Sequence, residues 1–346
     1  MRIPLPFTGA PGADSAPLSG TSGLDFSSLE GALHKFMEAG LSDSTRRVYR
    51  AGWNRFLSFT RAFSLSATPV TAESAILFAA YLGSEGLSVS TIESYLAALR
   101  HFRVVSDPDC PFPSLHSPYM KILLRGIKRI QAQPTSARVR LPITASLMRR
   151  IKAQLSLRPT SFLKVLIWAA CSVGFFGFLR AGEFLIPDGV QFDPSRHLSL
   201  ADIVLDTSAP RWRFLVTIKA SKTDQYFQGA QVVLGATEAD LCPVAALLDY
   251  LSSRGDSPGP LFVFSDGSPL HRSRFVQEVQ RALSASGLTG LNFNSHSFRI
   301  GAATSAGAAG VPESTIKVLG RWKSLAYQQY IRPSMDDLAE VSSQLC

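Results

Sequence analysis

From Ser28 to about Ile130 apolar residues recur three and four positions apart, as in Leu29, Leu33, Phe36 and Met37 and then Val48, Trp53, Phe56 and Leu57. That spacing lines each set along one face of a helix. Helix starts are legible at Ser42 and Ser44 and at Ser88 and Ser90, hydroxyl residues able to cap free backbone amides. Residues 28–130 are therefore predicted to form a compact all-helical domain. The pattern stops in QAQPTSARVR, residues 131–140, which is polar, carries Pro134 and reads as an exposed linker.

A second domain is predicted over residues 141–333. It opens with Thr144 as a cap ahead of Leu147, Met148 and Ile151. After an apolar segment from Val165 to Leu185, RFLVTIKASKTDQYFQGAQVVLG alternates apolar and polar residues around a turn-rich centre. This predicts a hairpin or small sheet with Lys222 near its turn. Helical spacing returns at Val244–Leu251, Phe275–Leu283, Ser297–Ala309 and Glu313–Leu319. The fold class expected is mainly α with a small β-sheet, a helical domain followed by an α+β domain.

The ends differ from this. Residues 1–27 are rich in Pro, Gly, Ser and Ala with no helical period, and are expected to be a disordered leader without the apolar block of a secretion signal. Residues 334–346 place Leu338, Val341 and Leu345 at helical spacing against an acidic side. A short tail helix is expected, docking on a neighbouring protomer or on its own domain.

Composition narrows the function. The 346-residue chain carries 35 basic against 26 acidic residues, a net charge of +9, which suits a polyanionic partner, nucleic acid or an acidic membrane surface. Its longest apolar run, Val165–Leu179, is 15 residues broken by Ser172, Gly174 and Gly177, too short to span a bilayer. The four cysteines, Cys110, Cys171, Cys242 and Cys346, are scattered, with no CxxC pair and no histidine at ligand spacing. Neither a disulfide framework nor a structural metal site is expected, and a reducing compartment fits.

Transfer of a phosphodiester without a metal needs cations around the nonbridging oxygens, a nucleophile, and an acid for the leaving oxygen. The second domain offers candidates. GFLRAGE places Glu183 one turn after Arg180, where it can orient the guanidinium. In NSHSFRIGAAT, His296 and Arg299 stand three apart on one helix face, and Gly301, Ala302, Ala303, Ala308 and Ala309 allow that helix to pack closely. LGRWKSLAYQQYIRPS then presents Trp322 and, eight residues on, Tyr330.

With these residues the chain resembles the tyrosine recombinases, the phage-integrase and Cre-like family, over essentially its whole length after the leader. The matching motifs are LRAGE for Arg180 and Glu183, ASKTD for Lys222, HSFR for His296 and Arg299, GRWKS for Trp322 and YIRP for Tyr330. GRWKS followed by YIRP is similar to recombinases of eukaryotic mobile elements, DIRS-like or Crypton-type. One departure stands out: many members place the His or Trp nine residues before the tyrosine, whereas Trp322 is eight before Tyr330, which makes Tyr327 a rival nucleophile. The YIR context favours Tyr330.

The resemblance implies a SAM-like core-binding domain and a catalytic domain closing as a C-shaped clamp on double-stranded DNA, with the linker crossing it. It implies that Tyr330 attacks the scissile phosphate to leave a 3′-phosphotyrosine and a free 5′-hydroxyl, with neither ATP nor metal and no other cofactor. Arg180 and Arg299 would hold the nonbridging oxygens, since planar forks suit phosphate. Lys222 would be the general acid, ahead of Lys219, whose strand position is expected to face solvent. His296 would assist proton transfer, and Trp322 would pack and donate an indole hydrogen bond. A tetramer on two sites, a dimer per site, and a nuclear location follow from the same resemblance.

Phosphate contacts outside the active site are expected from Arg46, Arg47, Arg50 and Arg55, from Lys121, Arg125, Lys128 and Arg129, and from Arg321 and Lys323 beside Trp322. Two other functions remain open on sequence alone: a type IB topoisomerase-like relaxing enzyme, and a domesticated DNA-binding protein without catalysis.

Overall fold

The computed structural model describes residues 26–106, 117–132, 140–157, 162–208, 210–222, 224, 226–332 and 339. The expected leader up to residue 25, residues 133–139 of the linker and almost all of the tail lie outside them. The chain divides into two compact units, residues 1–135 and 136–346.

The first unit holds α1 (Phe26–Ala39), α2 (Asp43–Ala62), α3 (Ala72–Ser84), α4 (Val89–Ser106) and α5 (Pro118–Gln131). Small hydroxyl residues start α2, α3, α4 and α5. Ser42 accepts from the Thr45 amide at 3.2 Å, Thr71 and Ser74 cap one another's backbone reciprocally, and Ser117 accepts from Met120 ahead of Pro118 in the first turn. The core is Phe56, Phe59, Phe78, Leu82, Ile92, Leu96 and Leu99, closed by Met120, Leu124 and Ile127. Phe56 meets Phe78 edge-on, with ring centroids 5.2 Å apart.

α1 stands apart from this core. Leu29, Leu33, Phe36 and Met37 form the predicted stripe, yet all four are exposed and none belongs to the core. Apolar periodicity specifies which face of a helix seeks cover; it does not supply the partner.

The second unit is built around α7 (Phe162–Phe176), in which every residue from Leu166 to Phe175 is buried. Around it lie α6 (Ala145–Ser156), the single turn α8 (Ala181–Phe184), α9 (Pro243–Arg254), α10 (Arg272–Ala285), α11 (Ser297–Ala308) and α12 (Glu313–Leu319). A 3₁₀ turn covers Leu325–Gln329. The small sheet is an antiparallel meander of β1 (Ile203–Asp206), β2 (Arg213–Ile218) and β3 (Ala230–Gly235). Phe214 pairs with Leu234 and Val216 with Val232 on the face turned to the core. Residues 219–229, including Lys222, connect β2 to β3. Among the described residues no helix is long and apolar enough to cross a membrane.

Candidate active site

Two left-handed turns frame the site. The first ends α7, where Phe178 has φ 50°; the second ends α12, where Arg321 has φ 54°. A side-chain-bearing residue in that region costs about 1–3 kcal/mol, so the surroundings must hold it there. Both turns aim carbonyl oxygens at guanidinium groups. Arg299 donates through Nη1 to the Phe178 carbonyl and through Nη2 to that of Gly320, and Arg321 donates to the Gly177 carbonyl at 3.3 Å. Gly320 is required by close approach, since a Cβ there would lie 1.6 Å from a ring carbon of Trp322.

Arg180 opens α8. Its backbone amide donates to Glu183 Oε2 and its Nη1 to Oε1, both at 2.9 Å, so the expected orienting carboxylate is in place. Glu183 is buried and takes a second guanidinium as well: Arg321 Nη2 lies 2.6 Å from Oε2. Arg321 therefore does not stand on the surface where a peripheral DNA contact was expected. Its backbone turn points it inward, across 138 residues of chain, to Glu183.

α11 carries the next pair. His296 and Arg299 share its first turn, which lies so close to residues 141–143 that a Cβ on Gly301 would fall 1.8 Å from the Ile143 carbonyl oxygen. Ala302 and Ala303 are buried in this packing, whereas Ala308 and Ala309, expected to share it, are exposed at the helix end. The pair also diverges. Arg299 is fully buried, with its Cζ 4.4 Å from the Trp322 ring centroid, and its Nε has no hydrogen-bond partner. His296 turns instead to Tyr330, with Nε2 3.1 Å from the phenolic oxygen.

Tyr330 follows the 3₁₀ turn. Its carbonyl accepts from Thr304 at 2.9 Å, and its ring packs against His296 and Trp322 at centroid distances of 5.3 and 5.2 Å. Tyr327 is placed differently: it is buried, and its hydroxyl donates to Glu313 Oε2 at 2.7 Å. That bond to a carboxylate raises its pKa above the ordinary tyrosine value, the wrong direction for a nucleophile.

Burial, reinforced by the charges of Arg299, Arg140, Arg180 and Arg272, pushes the His296 imidazole down to about 4. It is neutral at physiological pH, so one of its two ring nitrogens carries a lone pair. Burial, with Arg180 beside it, lowers Arg299 to about 9, which still leaves it charged. Arg140 and Arg272, the latter donating from Nε to Ser295 at 3.0 Å, are site cations that motif reading did not single out.

Lys222 is exposed on the β2–β3 connection. Asp224 in the same loop is held below the usual carboxylate range by the Gly229 and Gln228 amides, with a contribution from the charge of Lys323, so the loop lies within electrostatic reach of the turn that carries Trp322. Lys219 does not face solvent as expected. It is tied to Asp202 Oδ2 and to the Pro194 carbonyl, each at 2.6 Å, and is thereby committed elsewhere.

Of the other expected DNA contacts, Arg47, Arg50, Lys121, Arg125, Lys128, Arg129 and Lys323 are exposed. The four on α5 lie away from its buried Met120, Leu124 and Ile127. Arg46 pairs with Asp43, and Arg55 pairs with Glu85 at 2.9 Å while lying over the Tyr81 ring. Exposed pairs of this kind are worth about 0–1 kcal/mol, weak enough for phosphate to displace.

No family model matches the sequence, and no curated protein matches it. Solved structures do. The XerH site-specific recombinase bound to palindromic difH substrate, in a post-cleavage complex, superposes with a TM-score of 0.59 at 15% identity, over 87% of this chain and 78% of that one. A lambda integrase dimer bound to a COC′ core site gives 0.57 at 15%, over 88% and 95%. The Tn1549 transposon integrase in complex with transposon right end DNA gives 0.55 at 15%, over 90% and 96%.

Proposed function

Since the chain has the fold of site-specific recombinases and integrases, we propose that it is a tyrosine recombinase, which cuts and rejoins double-stranded DNA through a 3′-phosphotyrosine bond to Tyr330. One observation carries the reading: the Tyr330 hydroxyl lies 3.1 Å from a neutral His296 at the edge of a pocket of three guanidinium groups.

In the reaction, the Tyr330 phenol gives its proton to His296 Nε2 while its oxygen attacks phosphorus. Arg180 stabilises the charge on the nonbridging oxygens by contact, and the buried Arg299 does so through its positive field. Lys222 protonates the departing 5′-oxygen. Reversal, with the 5′-hydroxyl of a second strand as nucleophile, returns the phenol and joins the new partner. One ester bond replaces another at each step, so no external energy source is consumed. Arg47, Arg50 and the α5 cations would lie on phosphates of the duplex. Integration or excision of a mobile element in a nucleus, by a tetramer on two DNA sites, is the fuller form of the proposal, supported by the GRWKS and YIRP resemblance.

The test is a nicked suicide duplex built from the native element termini. Wild type and Tyr327→Phe are expected to yield a detergent-resistant protein–DNA adduct, and Tyr330→Phe none. An adduct with Tyr330→Phe overturns the assignment.

A further inference from the structure

Glu183 is placed to weaken the very group it orients. A buried carboxylate paired with Arg180 alone would cancel most of the charge that Arg180 offers to a phosphate. Here the second carboxylate oxygen is taken by Arg321 at 2.6 Å, opposite the 2.9 Å bond from Arg180. Three guanidinium charges, those of Arg180, Arg299 and Arg321, then face one carboxylate, and the pocket keeps two positive charges in excess.

We propose that Arg321 is a positioning residue of the strand-transfer reaction: by binding Glu183 it fixes the carboxylate plane and offsets its charge, so that Arg180 meets the scissile phosphate in one orientation as a full cation. This rests on the recombinase reading above. Arg321 holds a left-handed backbone that its side chain type does not favour, and the turn is closed by its amide bond to the Val318 carbonyl at 2.9 Å. The strained turn sends its guanidinium inward to the Gly177 carbonyl and to Glu183, where a surface contact to DNA would require the opposite direction. The charges also act on one another: burial lowers Arg321 and Glu183 raises it, while Arg180 opposes it.

A charge-offsetting role differs from a merely structural ion pair in a double-mutant cycle on the full-length protein, read as single-turnover cleavage of the suicide duplex. Arg321→Gln keeps a hydrogen-bond donor for Oε2 but no charge. It is expected to cleave about 100-fold more slowly at nearly unchanged DNA affinity, the scale of one lost transition-state donor. With Glu183→Gln already present, the same Arg321→Gln change should cost less than about tenfold, because no carboxylate charge remains to be offset. Arg321→Lys, which restores the charge, should recover most of the rate. The Arg321→Gln penalty should also shrink on a duplex whose scissile phosphate is a neutral methylphosphonate. Equal penalties with and without the Glu183→Gln change, or on charged and neutral phosphates, overturn the proposal while leaving the recombinase reading standing. A wild type that forms no Tyr330 adduct overturns both.

Discussion

The guanidinium pocket and the β2–β3 connection serve one proposed reaction but are held by opposite means. Arg299 is buried, anchored to the carbonyls of Phe178 and Gly320 and covered by Trp322. Lys222 is exposed on a loop between two strands. Groups that stabilise charge gain from being fixed before the substrate arrives, because dipoles and cations already in place need no reorganisation during reaction. A proton donor has a different requirement: it must be a charged ammonium in water and then lose its proton once desolvated against the leaving oxygen. Preorganisation on one side and adaptability on the other follow from the chemistry each group performs.

Arg299→Lys should break the fixed side most severely. A lysine cannot reach both carbonyls with a planar fork, so buried acceptors at Phe178 and Gly320 lose donors at about 1–3 kcal/mol each. Thermal unfolding should fall by several degrees, and covalent adduct formation by a thousandfold or more. A variant as stable and active as wild type would mean that the pocket is not preset.

Lys222→Ala probes the adaptable side. Cleavage should slow by about 10²–10⁴-fold, the range for a lost general acid, with melting temperature unchanged because the side chain is exposed. A substrate with a 5′-bridging sulfur, whose thiolate leaves without protonation, should restore the rate. Failure of that rescue would assign Lys222 a role other than proton donation.

The smallest effect sharpens the contrast through pH. His296 has its folded-state pKa pushed down to about 4 by burial and neighbouring arginines, from an ordinary value near 6.5. Between those values the unfolded chain binds a proton that the folded chain refuses, so His296 makes stability decline as pH falls from about 6.5 towards 4 and contributes no slope above 6.5. Melting temperatures across that window should fall less steeply for His296→Gln. Equal slopes would show that the ring is not held neutral.

Much of this was legible in local sequence. Ser42 and Ser88 announce helix starts because a cap is a contact within three residues, and HSFR places His296 and Arg299 in one turn for the same reason. Lys222 was found at its turn because β-alternation brackets it. The failures share a cause: long range. Arg321 finds Glu183 across 138 residues through a backbone conformation that arginine gives no hint of adopting, although nine positions before Tyr330 is where Arg321 stands. Lys219 was expected to face solvent from its strand position, and no local pattern shows Asp202 beside it. The stripe of α1 predicted a helix correctly and said nothing of its cover, which is a property of the whole molecule.

The bridge that Arg299 makes between the two left-handed turns has a consequence for local unfolding. Neither turn can open without stranding a buried guanidinium nitrogen, so the end of α7 and the end of α12 are thermodynamically one unit although far apart in the chain. The amides of Leu179 and Trp322, bonded to the carbonyls of Gly174 and Lys317, are therefore expected to exchange with solvent through a shared opening. Local breathing at one wall of the pocket is breathing at both.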